Sequence, residues 1–389
     1  LAAMKHYVAQ ARQLPPWADA ARIDRAEALF MEYGPLSCTL LFCASLPECY
    51  YLPDLADVLH ITGQLETNTD YRVRQTAAMV FPVMMRGGLT TPEGGGIAQV
   101  LKVRLIHAMI RNLILHGNPS DVTGLVDALP QQDSYGDRSR DMYDALLEHG
   151  WDVARQGQPC NQMQQGYTLL TFSYVFLQGM RRLRIPLNRA DEAAVLHAWN
   201  VSAHCLGIDP ALLVHTMGDA KHLFERLQKR YGTLQPPAID ARPGLGAALM
   251  DAMAATIRVP VIRYFPPPMA QLLCGRKTSR AVGISQRTSL ISHVFFWITM
   301  GFAWVIDAVA RLFVPKFSIV RMLTRVVGYH LMTTFLLDQT RPLRLPGSLN
   351  VQVQETIRGW SDDPKEPRWL NRIEDRLTTR GTWGGGPSR

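Results

Sequence analysis

The chain has 389 residues, beyond the usual size of one hydrophobic core, so one large domain and two fused layers are both open. Its 47% hydrophobic and 19% charged content describes a folded protein able to enclose a cofactor and excludes a disordered chain. Lys and Arg (41) outnumber Asp and Glu (33) for a formal charge of +8, but the basic residues are scattered and no nucleic-acid motif accompanies them, which argues against a nucleic-acid partner.

The pattern predicts helices almost throughout, in chain order. The first, over 21–33, follows Pro15-Pro16 and lines up Ile23, Ala26, Leu29 and Phe30 on one face. A second spans 70–86 with Pro82 expected to kink it or end it early. Gly87-Gly88, Pro92 and Gly94-Gly95-Gly96 mark a loop. A strongly apolar helix then runs from Ile97 to Leu115 and ends before Gly117-Asn118-Pro119. Further helices are expected over 137–149, 169–183, 192–206, 210–232 and 245–255, with no run of alternating strands. The expected class is all-α.

Residues 288–306 form 19 positions without Asp, Glu, Lys or Arg, about long enough to cross a bilayer core. Basic residues flank both ends, yet Trp297 and Trp304 sit inside the run, where interfacial anchors are not expected. A buried core helix, a wall of an apolar pocket and membrane contact all fit. Six cysteines at 38, 43, 49, 160, 205 and 274 include no Cys-x-x-Cys pair, which excludes a zinc ribbon, a thioredoxin-type redox motif and covalent c-type haem attachment. Free buried thiols are expected. The chain opens on Leu1, so an export signal ahead of it is left open, and with it the choice among cytoplasmic, membrane-associated and exported.

Phosphate-loop, zinc-helix and nucleophile-elbow motifs are absent, and Gly244-Leu245-Gly246 has Leu249 where a dinucleotide fingerprint needs its third glycine. The strongest candidate is His107 on the helix 97–115. Arg104, His107 and Arg111 fall on one face a turn apart, with Ile106, Ile110 and Leu113 around them. A neutral imidazole in an apolar stripe suits an iron ligand, and the arginines suit haem propionates. A satisfied core histidine between two solvated arginines fits the same spacing and is the commoner arrangement. Arg72, Gln75 and Thr76 share a face at i, i+3, i+4 and could line the distal side of an O2 site; a surface charge cluster around Asp70 is the alternative. Thr171 and Phe172 could face a cofactor, or simply open a helix.

In this order and at these separations, the three strings resemble the catalytic domain shared by latex-clearing proteins (rubber oxygenases) and MpaB-type oxygenases. That family reads Arg-x-x-Lys-Thr, then His-Ala-x-x-Arg, then a Thr-Phe element. The matching positions are Arg72, Gln75 and Thr76, then His107, Ala108 and Arg111, then Thr171-Phe172, with His197-Ala198-Trp199 through Leu206-Gly207-Ile208 similar to a fourth block. The resemblance covers roughly 30–275. It implies a globin-like helical core around a non-covalent haem b held by His107, with Arg72 and Thr76 on the distal side and Arg104, Arg111, Thr171 and Phe172 around the cofactor. It also implies O2-dependent cleavage of an apolar isoprenoid double bond. Residues 1–275 would be the haem-binding core, and 276–389 would pack on it or contact a membrane through 288–306. Gln75 stands where the family often has a lysine, and the family's distal base has only Asp54 or Asp57 as nearby counterparts. A haem peroxidase or peroxygenase, and a non-catalytic membrane-associated haem or gas sensor, are the alternatives.

Overall fold

The structure is a computed structural model that describes residues 2–61, 69–91, 95–116, 151–185, 187–232, 240–257, 262–287, 289–310 and 318–320. The side chains of 71–75, Arg72 and Gln75 included, and the helix expected over 137–149 lie outside that description. Among the described residues all regular structure is helical.

After α1 (Ala2–Ala11), the Asp19 side chain caps α2 (Ala20–Leu40) by accepting from the Ala21 and Arg22 N–H groups at 3.0 and 3.2 Å. The sequence reading ended this helix at 33, just before Gly34-Pro35. The chain instead kinks there, with Gly34 at φ +26°, ψ −108°, and continues through a π turn (Leu41–Ser45) into α3 (Leu46–Tyr51). Glycine tolerates that backbone, and from Gly34 to Tyr51 every residue of the resulting 32-residue rod is buried. Pro53 forces Leu52 into an extended conformation (φ −79°, ψ 121°), which ends α3 and starts α4 (Pro53–Ile61).

α5 (Thr69–Met84) ends two residues beyond Pro82 and packs against α6 (Gly95–His116). The link is tight: a Cβ on Gly96 would stand 2.5 Å from the Gly88 carbonyl oxygen. Buried Glu27 accepts from the Gly87 N–H at 2.8 Å and so ties this turn to α2. Burial pushes its pKa up to about 7 against that donation.

The short α7 (Val153–Gln156) precedes α8 (Gln162–Phe172) and α9 (Tyr174–Arg182), where one helix over 169–183 was expected. Asn161 and Gln164 form a reciprocal capping box that starts α8 seven residues early, and Ser173 breaks the run. Thr168–Phe172 is therefore the last turn of α8, not the opening of a helix. α10 (Arg189–Leu206) lies along α2 and also packs on α6. Bidentate pairs fasten it: Arg25 to Asp191 (2.7 and 3.0 Å) and Arg181 to Glu192 (both 2.8 Å). It stops at Gly207, in the left-handed region at φ +85°.

α11 (Met217–Gly232) follows a separate turn at Pro210–Leu212, so the segment expected as one helix is two elements. α12 (Arg242–Thr256), α13 (Pro266–Cys274) and α14 (Arg276–Ala281) close the core. α15 (Leu290–Ala310) docks by a narrow stripe of Phe296, Met300, Ala303 and Asp307. Asp307 is buried and accepts from the Ser318 hydroxyl (2.8 Å) and the Ile319 N–H (2.5 Å). Elsewhere α15 exposes Leu290, Ile291, Ile298, Phe302, Val305 and Val309. All six cysteines are free and buried, as expected from their spacing.

Candidate cofactor-binding cavity

α3, α4, α5, α6, α8 and α10 surround a cavity with about 1530 Å³ of empty space, its open mouth included. α6 supplies one wall through Gln99, Lys102, Val103, Ile106, His107 and Ile110. Their spacing of i, i+3, i+4, i+7, i+8, i+11 is one helical face. Leu46, Cys49 and Tyr50 of α3 and Leu55, Val58 and Leu59 of α4 add an apolar wall. Thr76 and Met79 come from α5, and Trp199, Ser202 and Leu206 from α10. α8 contributes Gln164, Gln165, Thr168, Leu169 and Phe172, with Phe172 stacked on Trp199 at 5.5 Å between ring centroids.

His107, Thr76 and Phe172, from three separate helices, thus meet at one cavity. The other candidates are placed differently. Thr171 is fully buried and is not itself part of the cavity lining, standing behind the lining residues Cys49 and Thr168. It contacts the Cys49 thiol at 3.0 Å and donates to the Thr168 carbonyl, while its own carbonyl accepts from Ser45. Arg104 donates to the Cys205 carbonyl at 3.1 Å and lies over the Tyr7 ring, helped by the absence of a side chain at Gly207. Arg111 donates to the carbonyls of Pro159 (3.1 Å) and Cys160 (2.6 Å). Neither arginine lines the cavity; both fasten α6 to neighbouring chain. At about 100° per residue, the cavity-facing stripe centres on Ile106 and Ile110 with His107 at its edge, and the arginines lie beyond that edge.

The two carboxyls near the family's base position sit on α4 behind Leu55 and Val58. Asp54 is pushed up to about 6, by burial first and then by its neighbour Asp57. Asp57 is raised by burial too, against the Gln156 amide that donates to it at 2.8 Å. Neither lines the cavity. His197 and His204 are also remote from it. His197 accepts from the Asp19 N–H at 2.9 Å, both rings pack edge-on to Trp17, and burial lowers the His197 pKa.

The sequence reading missed Gln99, Lys102, Gln164 and Thr168. The first two were legible as the continuation of the α6 stripe; Gln164 was legible through Asn161-x-x-Gln164, a helix-start signature.

The described residues thus form an all-α fold around a mostly apolar cavity with one histidine at its edge. Residues 55–287 match the family described as ER-bound oxygenase mpaB/B'/Rubber oxygenase, catalytic domain, and the chain belongs to that family. It is 24% identical over 209 residues to the rubber oxygenase of Streptomyces sp. (strain K30), covering 53% of this chain and 43% of the relative, so it spans less than half the length of that protein. Its fold is similar to that of latex clearing protein LCP in the closed state, with a TM-score of 0.62 and 18% identity, covering 88% of this chain and 82% of the other.

Proposed function

We propose that the chain is an oxygenase that oxidises an apolar, unsaturated isoprenoid substrate with O2, using a non-covalent haem b held by His107. The observation that carries this reading is the meeting of His107, Thr76 and Phe172 at one large cavity, in a chain of the rubber oxygenase family. Among the described residues no group of three or more His, Cys, Asp or Glu side chains could hold a bare metal ion. A single histidine on the wall of a mostly apolar cavity instead suits a metal that brings its own macrocyclic donors.

Haem in this cavity would supply the activation of O2. The chain's own residues do the rest. His107 lies on the cavity wall beside Val103, Ile106 and Ile110, so its ring would hold the haem iron from an apolar helical face. Thr76, from a different helix, offers a hydroxyl that donates to oxygen in the cavity, and Arg72, four residues earlier, belongs to the same sequence motif. Phe172 and Trp199 give a flat aromatic surface against which an alkene chain or a macrocycle can lie. Asp54 and Asp57 on α4 are carboxyls whose pKa burial raises, and they lie outside the cavity lining. The exposed apolar side of α15 lies outside the family-matched span and would bring the protein to a lipid or polymer phase. In this reading residues 1–275 form the oxygenase core, α14 and the Ile284–Arg287 turn pack into it, and α15 is its apolar periphery.

The test is O2 uptake by purified protein given an oligomeric cis-isoprenoid, with carbonyl products trapped by a hydrazine reagent. Uptake coupled to new aldehyde or ketone ends is expected. Binding of haem without O2 uptake or carbonyl formation on any isoprenoid offered would contradict the reaction.

A further inference from the structure

Gln164 sits at the third position of α8 and is 1% exposed. Its orientation is not free. The Asn161 N–H needs an acceptor, and the Gln164 Oε1 supplies it at 3.2 Å, while the Asn161 side chain accepts from the Gln164 N–H at 2.9 Å. With the oxygen held by the capping box, the amide nitrogen must face the other way. That nitrogen is buried and has no hydrogen-bond partner among the described residues, and the residue lines the cavity. Its neighbour Gln165 differs: the Gln165 amide is spent on the Cys160 carbonyl at 2.7 Å. A buried donor left unmade costs about 1–3 kcal/mol, so a guest that satisfies it is favoured by a similar amount. The first turn of the 11-residue α8 adds its partial positive charge, and Lys102 adds a cation on the α6 wall.

We propose that Gln164 is a guest-binding residue, its side-chain amide donating to an oxygen of whatever occupies the cavity. The inference rests on the reading of the cavity as a haem site. The acceptor is then either a carboxylate on the rim of the macrocycle or the oxygen of a diatomic ligand, one hydrogen-bond chemistry from two sources.

The capping box supplies a sharp test. Gln164→Glu keeps the oxygen that caps Asn161 but removes the N–H donors, and a carboxylate is a good residue in a first turn. Gln164→Met keeps the volume and removes both roles. Apo protein is titrated with haemin at pH 8, where the introduced carboxyl is ionised. The carbonyl stretch of the reduced protein under carbon monoxide is then recorded. If the amide holds a carboxylate, both variants lose about tenfold to a hundredfold in haemin affinity with an unchanged stretch. If it faces the diatomic ligand, haemin affinity holds and the stretch rises in both. A residue that serves only as a cap would instead leave Gln164→Glu like wild type in both readouts, with only Gln164→Met melting earlier, and that result would overturn the proposal. Wild-type protein that takes up no haemin would overturn the cofactor reading and this inference together.

Discussion

Two apolar surfaces of this molecule are left without a protein partner among the described residues, and they differ in kind. The cavity wall is concave, built from six helices, and sets polar groups among its apolar ones, with His107, Thr76, Gln164 and Lys102 among them. The outer side of α15 is convex, and its exposed large apolar side chains come from a single helix, Ile298, Phe302 and Val305 among them. Enclosure with sparse, placed polarity selects a particular guest. An open apolar stripe with no such polarity can only select a phase. The same total hydrophobicity thus gives a binding site in one region and a contact face in the other.

The difference can be pressed by substitution. In the core that frames the cavity, Phe42→Ala removes a side chain that is 1% exposed and is expected to cost about 3–5 kcal/mol in a denaturant titration. A cost near zero there would mean the rod from Ala20 to Tyr51 is not the frame. Inside the cavity, Thr76→Val should lower turnover on the order of ten- to a thousandfold while leaving haem content unchanged, the range for one preorganised donor. Undiminished turnover would place Thr76 outside the chemistry.

The polar network behind the cavity gives a pH dependence. Glu48 is 5% exposed, accepts from Thr278 (3.0 Å), Tyr167 (3.3 Å) and Gln228 (3.2 Å), and is pushed by burial up to about 7. The native state therefore keeps a proton that the unfolded chain releases above about 4.5. Its contribution is full below that value and is lost as pH rises to about 7. Glu48→Gln should remove on the order of 2–3 kcal/mol of that slope, read as stability against pH from 4.5 to 8. A slope that survives the substitution unchanged would assign it elsewhere, with Glu27 next, since burial raises it similarly. The smallest effect belongs to α15: Phe302→Ala, at a side chain 67% exposed, should change stability by less than about 0.5 kcal/mol while weakening sedimentation with lipid vesicles. A core-sized loss of stability would show that the chain itself covers this face.

How much of this was legible in the sequence follows from where the signals are local. The helix carrying His107 announces itself by a long apolar run closed by Gly117-Asn118-Pro119, and its bounds differ from the structure by two residues or fewer. The break between α8 and α9 is not local in that sense: Ser173 interrupts two runs that are each helical by composition, and Thr171 was consequently given to the wrong end of a helix. The end expected at 33 erred in the opposite direction, because the buried rod continues through the kink at Gly34-Pro35. The arginines show the limit of spacing arguments. Positions three and four residues from His107 share its side of the helix, yet only the packing of α10 and the 159–160 segment decides that they reach those backbones and not the cavity.

The account's central claim is that His107 holds a haem in this cavity, and a visible titration of apo protein with haemin tests it most directly. Wild type should develop a saturable Soret band at one equivalent, and His107→Ala should lose that band or bind haemin far more weakly while keeping its helical circular dichroism. Full haem uptake with an unchanged spectrum in His107→Ala would contradict the claim.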